Sequence, residues 1–147
     1  MNELTITAKV ALANTFLMYF KAHAYHWNVE GLNFPQLHEF FGDLYEEIYG
    51  AVDPLAEEIR ALNDYAPRSL EELYTYKTID GSNEATSGVT MVQDLLATND
   101  QVVVSLNKLF DLATAAKEQG LADFVAGRLD AHKKHGWMLR ATSKTVG

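Results

Sequence analysis

His26-Trp27-Asn28-Val29-Glu30-Gly31 closes one amphipathic segment, and Gly31-Leu32-Asn33-Phe34-Pro35 turns the chain into a second one. His38 stands near the start of that second segment, with Asp53 and Glu57 near its end. Imidazole and carboxylate are ligand types that suit iron. Asp53 and Glu57 are four residues apart, so they lie one above the other on a single helix face. His38 and Asp53 are separated by fifteen residues, which at about 1.5 Å per residue is roughly 22 Å. That span is too long for one metal ion. His26 ends the preceding helix, which folds back antiparallel after so short a turn, and therefore meets His38 but not the carboxylates. If the four residues form one site, His26 and His38 come from one subunit and Asp53 and Glu57 from another, across a symmetric dimer that holds two such sites.

A helical wheel agrees with this division. Leu37, Phe41, Leu44, Ile48, Val52, Leu55, Ile59 and Leu62 recur every three or four residues and form one apolar stripe. His38, Asp53 and Glu57 fall about 80° to 180° from its centre at about 100° per residue. They point away from their own core. Gly42, Tyr45, Tyr49 and Ala56 lie between them, a small-and-aromatic mixture suited to close packing against a partner helix. A second reading competes at Asp53-Pro54, a good helix-start pair in which Asp53 would be only an N-cap after a break near Gly50.

Outside this stretch the chain reads as helices throughout. Ile6, Val10, Ala13, Leu17, Phe20 and Ala24 predict a first helix from about residue 4 to 29. The second is expected to run to about Leu62, before Pro67, and Ser69 with Glu72 has the capping-box spacing of a short helix reaching Tyr76. Asp80-Gly81-Ser82-Asn83 and Thr86-Ser87-Gly88 are loop chemistry. A third long helix is predicted from Val89 to Lys117 with Gly120 as its cap, and a fourth from Leu121 to Ser143. The expected architecture is all-α: a four-helix bundle with a short extra helix in the long crossover between helices two and three, one domain over residues 1–147.

Composition removes several function classes. The chain has no cysteine, which excludes disulfides, thiol catalysis and thiolate metal sites. A formal charge of −8 with only twelve Lys and Arg argues against broad electrostatic affinity for nucleic acid and suits attraction of cations. No apolar run has the length of a membrane span. Met1-Asn2-Glu3-Leu4 lacks the basic-then-apolar pattern of a signal peptide, so a cytoplasmic location is the expectation. Di-iron sites within one bundle use Glu-x-x-His pairs, and no histidine here has a Glu three residues before it.

With these residues in place, the chain resembles the Dps family of miniferritins. The match rests on His26-Trp27-Asn28-x-x-Gly31, His38 twelve residues on, Asp53-x-x-x-Glu57, and His132-x-x-His135-x-Trp137-Met138-Leu139-Arg140. The resemblance implies a ferritin-like subunit that assembles from two-fold dimers into a hollow dodecamer. It further implies Fe(II) binding at the two-fold interface, oxidation by hydrogen peroxide in preference to dioxygen, and storage of the ferric product. On this likeness His26, His38, Asp53 and Glu57 would be the iron ligands. Trp27 would stand beside them to intercept oxidising equivalents, although a large aromatic here equally suits an interface anchor. Family likeness also suggests that Glu39, Asp43, Glu46 and Glu47 line the cavity, unless they are a solvated face. It suggests that Asp123 lines a cation pore. His23, one turn before His26, would support the ligands from behind unless it is a surface or packed histidine, while His132 and His135 acquire no ligand role.

One departure stands out. Many relatives carry an Asp one turn after the second histidine, where this chain has Gly42, so a single tight iron position per site is expected. A rival reading, a nucleoid protein that binds DNA directly, needs a Lys/Arg-rich tail, and the chain end offers only Arg140 and Lys144.

Overall fold

The computed structural model describes residues 2–144; Met1 and residues 145–147 of the expected 1–147 domain lie outside the described residues. Five helices follow in order: α1 (Glu3–Asn28), α2 (Phe34–Ala61), α3 (Leu70–Thr75), α4 (Gly88–Ala115) and α5 (Gln119–Ser143). Among the described residues there is no strand, and no helix is long and apolar enough to cross a membrane. The four long helices form an antiparallel bundle in which α1 packs on α2 and α4, and α4 on α5, with α3 in the crossover between α2 and α4.

Local chemistry starts and stops each helix. The Asn2 side chain accepts the Thr5 N–H at 2.9 Å, and Ser69 Oγ accepts the Glu72 N–H at 3.0 Å. Glu72 reaches back to the Arg68 N–H rather than to Ser69's, so the box expected there is closed one residue early. A complete capping box opens α4 at Ser87 and Thr90. At the C-termini of α2 and α4 the left-handed cap position is held by Asn63 (φ 67°) and Lys117 (φ 59°). In each, the next N–H returns to the carbonyl five residues back, from Asp64 to Ile59 and from Glu118 to Ala113. The expected cap at Gly120 is therefore corrected: Lys117 turns the chain and Gly120 lies inside the first turn of α5.

The α2 stripe is the core face. Phe41, Leu44, Ile48, Leu55 and Ile59 are buried, with Leu37, Val52 and Leu62 packed at its margins. In α1 the expected stripe is only partly the buried one: Ala13 and Leu17 are buried, but Ile6 and Phe20 are exposed, while Ala8, Leu12, Met18, Ala22 and Tyr25 enter the core. This helix is covered on several sides, by α2, α4 and the crossover, so no single stripe defines its interior. Even its lysines are inside. Lys21, only 2% exposed, pairs with Asp94 at 3.0 Å and donates to the Ser82 carbonyl, while the Tyr25 hydroxyl donates to the same carboxylate at 2.5 Å. Asn14 holds the crossover by a two-way hydrogen bond with Thr78 at 2.9 and 3.0 Å.

The proline question has a clear answer. Helix α2 continues through Pro54 without a break, so Asp53 is not an N-cap but a mid-helix residue. Pro54 cannot donate to the Gly50 carbonyl, and proline is several kcal/mol worse than alanine inside a helix. Pro54→Ala is therefore expected to stabilise the subunit by about 1–2 kcal/mol, after allowance for the freer unfolded chain. A urea midpoint that falls instead of rising would contradict this.

Candidate metal centre

His26 at the end of α1 and His38 in the first turns of α2 are brought together by the Gly31 turn, whose φ of 114° favours glycine. Their rings stack at 3.8 Å between centroids and 15° between planes. Each ring is locked by the other's backbone: His26 Nδ1–H donates to the His38 carbonyl at 2.6 Å, and His38 Nδ1–H to the His26 carbonyl at 2.7 Å. A carbonyl only accepts, so both Nδ1 atoms carry a proton, and in the neutral form of each ring the lone pair is on Nε2. This backbone-held tautomer is the arrangement that orients a histidine for a metal. Phe34 stacks on the outer side of His38 at 5.0 Å, and Tyr45 lies 5.3 Å from His26.

Gly42 has a geometric reason to be small. A Cβ built there would lie 3.1 Å from both Cε1 and Nδ1 of His26, so the imidazole rests directly against the α2 backbone. The position that lacks a carboxylate is thus the floor on which His26 lies.

Asp53 and Glu57 are exposed on α2, and neither enters an ion pair among the described residues. Because α2 is unbroken, they stand about 22 Å along it from His38. Among the described residues no group of three or more His, Asp or Glu side chains converges as a metal site within one chain. Trp27 is 57% exposed, with its ring 4.2 Å from His23 and edge-on to Phe20. His23 is a packed histidine: it lies flat on Tyr45 at 3.8 Å, and its Nδ1 is hydrogen-bonded to the Tyr19 hydroxyl at 2.9 Å. Burial, then the nearby His26, lowers its pKa.

A second polar cluster lies across the bundle. Arg128 forms a two-pronged pair with Glu47 at 2.6 and 3.0 Å, and His135 Nε2–H donates to the same carboxylate at 2.6 Å. Arg128 also donates to His132 Nε2 at 3.0 Å, and His132 Nδ1–H donates to Asn99 Oδ1 at 2.9 Å. His135, and then Arg128, hold the Glu47 carboxyl well below the usual carboxylate range. Burial, then the charge on Arg128, pulls His132 down to about 3. Glu47 is thus committed to α5 and is not a free member of the acidic row. Glu39, Asp43 and Glu46 remain exposed, as does Asp123. His132 and His135, which had no role in the sequence, tie α5 to α4 and α2. Their signal was the spacing Arg128, His132, His135, which places all three on one face of α5.

A ferritin-like domain model matches residues 9–146. The DNA protection during starvation protein of Brevibacillus brevis is 32% identical over 130 residues, covering 88% of this chain and 87% of its own. An uncharacterised low temperature-induced protein of Nostoc is 31% identical over 132 residues, covering 88% of this chain and 74% of its own. Among solved structures, a Dps protein from Bacillus brevis superposes with a TM-score of 0.90 at 30% identity over 96% of this chain and 95% of that one. A Dps protein from Vibrio cholerae, described as belonging to a broad superfamily of ferritin-like diiron-carboxylate proteins, gives 0.92 at 25% identity over 97% and 89%.

Proposed function

Since this chain belongs to the Dps family of ferritin-like proteins, we propose that it is an iron-storing miniferritin whose Fe(II)-oxidising sites are shared between two-fold-related subunits. The observation that carries the reading is the reciprocal lock between His26 and His38, which presents two lone-pair nitrogens from one short turn. A pair of imidazoles is an incomplete iron site. Asp53 and Glu57 supply the hard, anionic oxygens that complete it, and reach requires that they belong to the neighbouring subunit. Glu57 binds the tighter iron, Asp53 completes its shell, and Trp27 lies alongside. The substrate iron gives up one electron per ion, so two Fe(II) reduce one hydrogen peroxide to two hydroxides and no free radical escapes. The ferric product is stored in a dodecamer of one ferritin-like domain per chain, with Glu39, Asp43 and Glu46 facing the store. Protection comes from removing iron and peroxide in the cytoplasm rather than from a complex with DNA, which a chain of net charge −8 does not favour.

The test is native mass together with Fe(II) oxidation under peroxide and under air. A particle of twelve chains that oxidises iron faster with peroxide, and loses at least ~100-fold in rate in His38→Ala, is the expected result. A monomer, or an unchanged rate in His38→Ala, would defeat the reading.

Gly42 sets the stoichiometry. Anaerobic Fe(II) titration is expected to saturate at one tight ion per site, because no carboxylate stands on the floor beneath His26. Two tight ions per site would show that another group replaces it.

A further inference from the structure

Between α2 and α5 lies a recess of about 310 Å³, lined by Phe40, Asp43, Leu44, Glu47, His135 and Met138. His135 is 6% exposed, and its Nε2–H is committed to the Glu47 carboxylate at 2.6 Å. In the neutral form of that ring the lone pair is therefore on Nδ1. This Nδ1 is buried and has no hydrogen-bond partner among the described residues. A buried polar atom left unpaired costs stability, so its retention calls for a reason. Arg128 Nε is unpartnered too, but a guanidinium has no lone pair to offer. His132 differs as well, because both of its ring nitrogens are engaged.

An imidazole with one nitrogen on a carboxylate and the other free is the arrangement in which proteins present histidine to a metal. Met138 brings a second donor. It stands three residues after His135 on the same face of α5 and lines the same recess. It is partly exposed, whereas Met18 and Met91 are sealed in the core. Thioether sulfur is a soft ligand that selects copper(I), and imidazole suits copper as well. Charge agrees with a monovalent ion. Arg128 already pairs with Glu47, which leaves Asp43, one turn earlier on α2, as the one uncompensated carboxylate of the recess. We propose that His135 Nδ1 and Met138 Sδ hold one copper(I) ion in this recess, with Glu47 orienting the imidazole and Asp43 balancing the charge. Donation from Nε2–H to Glu47 fixes the ring and raises the basicity of Nδ1. The site lies across the bundle from His26 and His38 and does not rest on the iron-oxidising reading.

The test uses the full-length chain carrying His26→Ala and His38→Ala, so that the candidate iron site cannot take the metal. Copper(I) is added anaerobically as its ferrozine complex, and loss of that complex's colour reports transfer to the protein. Transfer of one copper(I) per chain is expected. Met138→Leu keeps the apolar bulk and should weaken binding at least ~10-fold, the lower end of what a disturbed metal site loses. Copper-edge X-ray absorption gives a second readout, with a sulfur and an imidazole neighbour in the parent and no sulfur in Met138→Leu. The same spectra are taken on the chain with His26 and His38 intact, with and without Met138→Leu, so the sulfur readout stands even where the histidine pair is needed for assembly. An unchanged affinity in Met138→Leu, or copper without a sulfur neighbour, overturns the site. Neither result touches the iron reading, because the parent chain lacks His26 and His38.

Discussion

Two variants of this chain, each inactive alone, are expected to regain iron oxidation when they share a particle. In the first, His26 and His38 are both alanine; in the second, Asp53 is Asn and Glu57 is Gln. On the proposed shared-site reading each homogeneous particle would have only half-sites, because His38 and Asp53 of one subunit are about 22 Å apart along an unbroken α2. In a mixed two-fold dimer one site receives both intact halves and the other receives neither. With equal co-expression and random pairing, half the dimers are mixed and each has one working site of two. The mixture should therefore recover about a quarter of the wild-type rate with peroxide, the fraction that two-fold symmetry fixes. The measurement is the initial rate of ferric absorbance for both parents and for the co-expressed particle. A mixture no faster than its parents would mean that each subunit carries a whole site, and the shared-site geometry would fall.

How much of this was readable beforehand differs from helix to helix. The α2 stripe is legible because only one side of that helix meets its own core, so apolar residues recur at one spacing. The meeting of His26 with His38 is legible because Gly31 and the turn after it leave the chain no other way to go. In α1 the same reading picks Ile6 and Phe20 and passes over Lys9 and Lys21, which are both 2% exposed. A lysine in a helix normally signals solvent. Here Asp64 and Asp94, 55 and 73 residues further on, neutralise the two of them. The Glu47 cluster was hidden for the same reason, since its hydrogen bonds join residues 81 and 88 positions apart. Gly42 is intermediate. Its lack of a carboxylate is visible in the sequence, but that His26 lies on it requires the fold.

That hidden cluster carries the largest expected effect on stability, and it is set by pH. His132 is fully buried and accepts from Arg128 at Nε2, so a proton there would face a guanidinium. Its pKa is pulled from 6.5 down to about 3 in the fold. A depressed pKa means that the unfolded chain takes up the proton first. The associated stability is complete above pH 6.5 and is lost as pH falls toward 3, at up to ~1.4 kcal/mol per pH unit. Glu47 acts in the same direction in a lower window, because its folded pKa lies below its ordinary 4.5 and its stabilisation is lost only as pH falls beneath that value. His132→Gln cannot titrate. At pH 7.5 it should cost about 1–3 kcal/mol through the hydrogen bonds it disrupts to Arg128 and Asn99. Between pH 6.5 and 5 its stability should then decline more slowly than wild type by close to ~1 kcal/mol per unit. Urea midpoints of the metal-free protein, taken at one protein concentration because assembly contributes to apparent stability, measure both effects. The wild-type and His132→Gln curves should converge as the solution is acidified. Curves that stay parallel from pH 7.5 to 4.5 would show that the proton taken up on unfolding binds elsewhere, and that Arg128 does not keep His132 neutral.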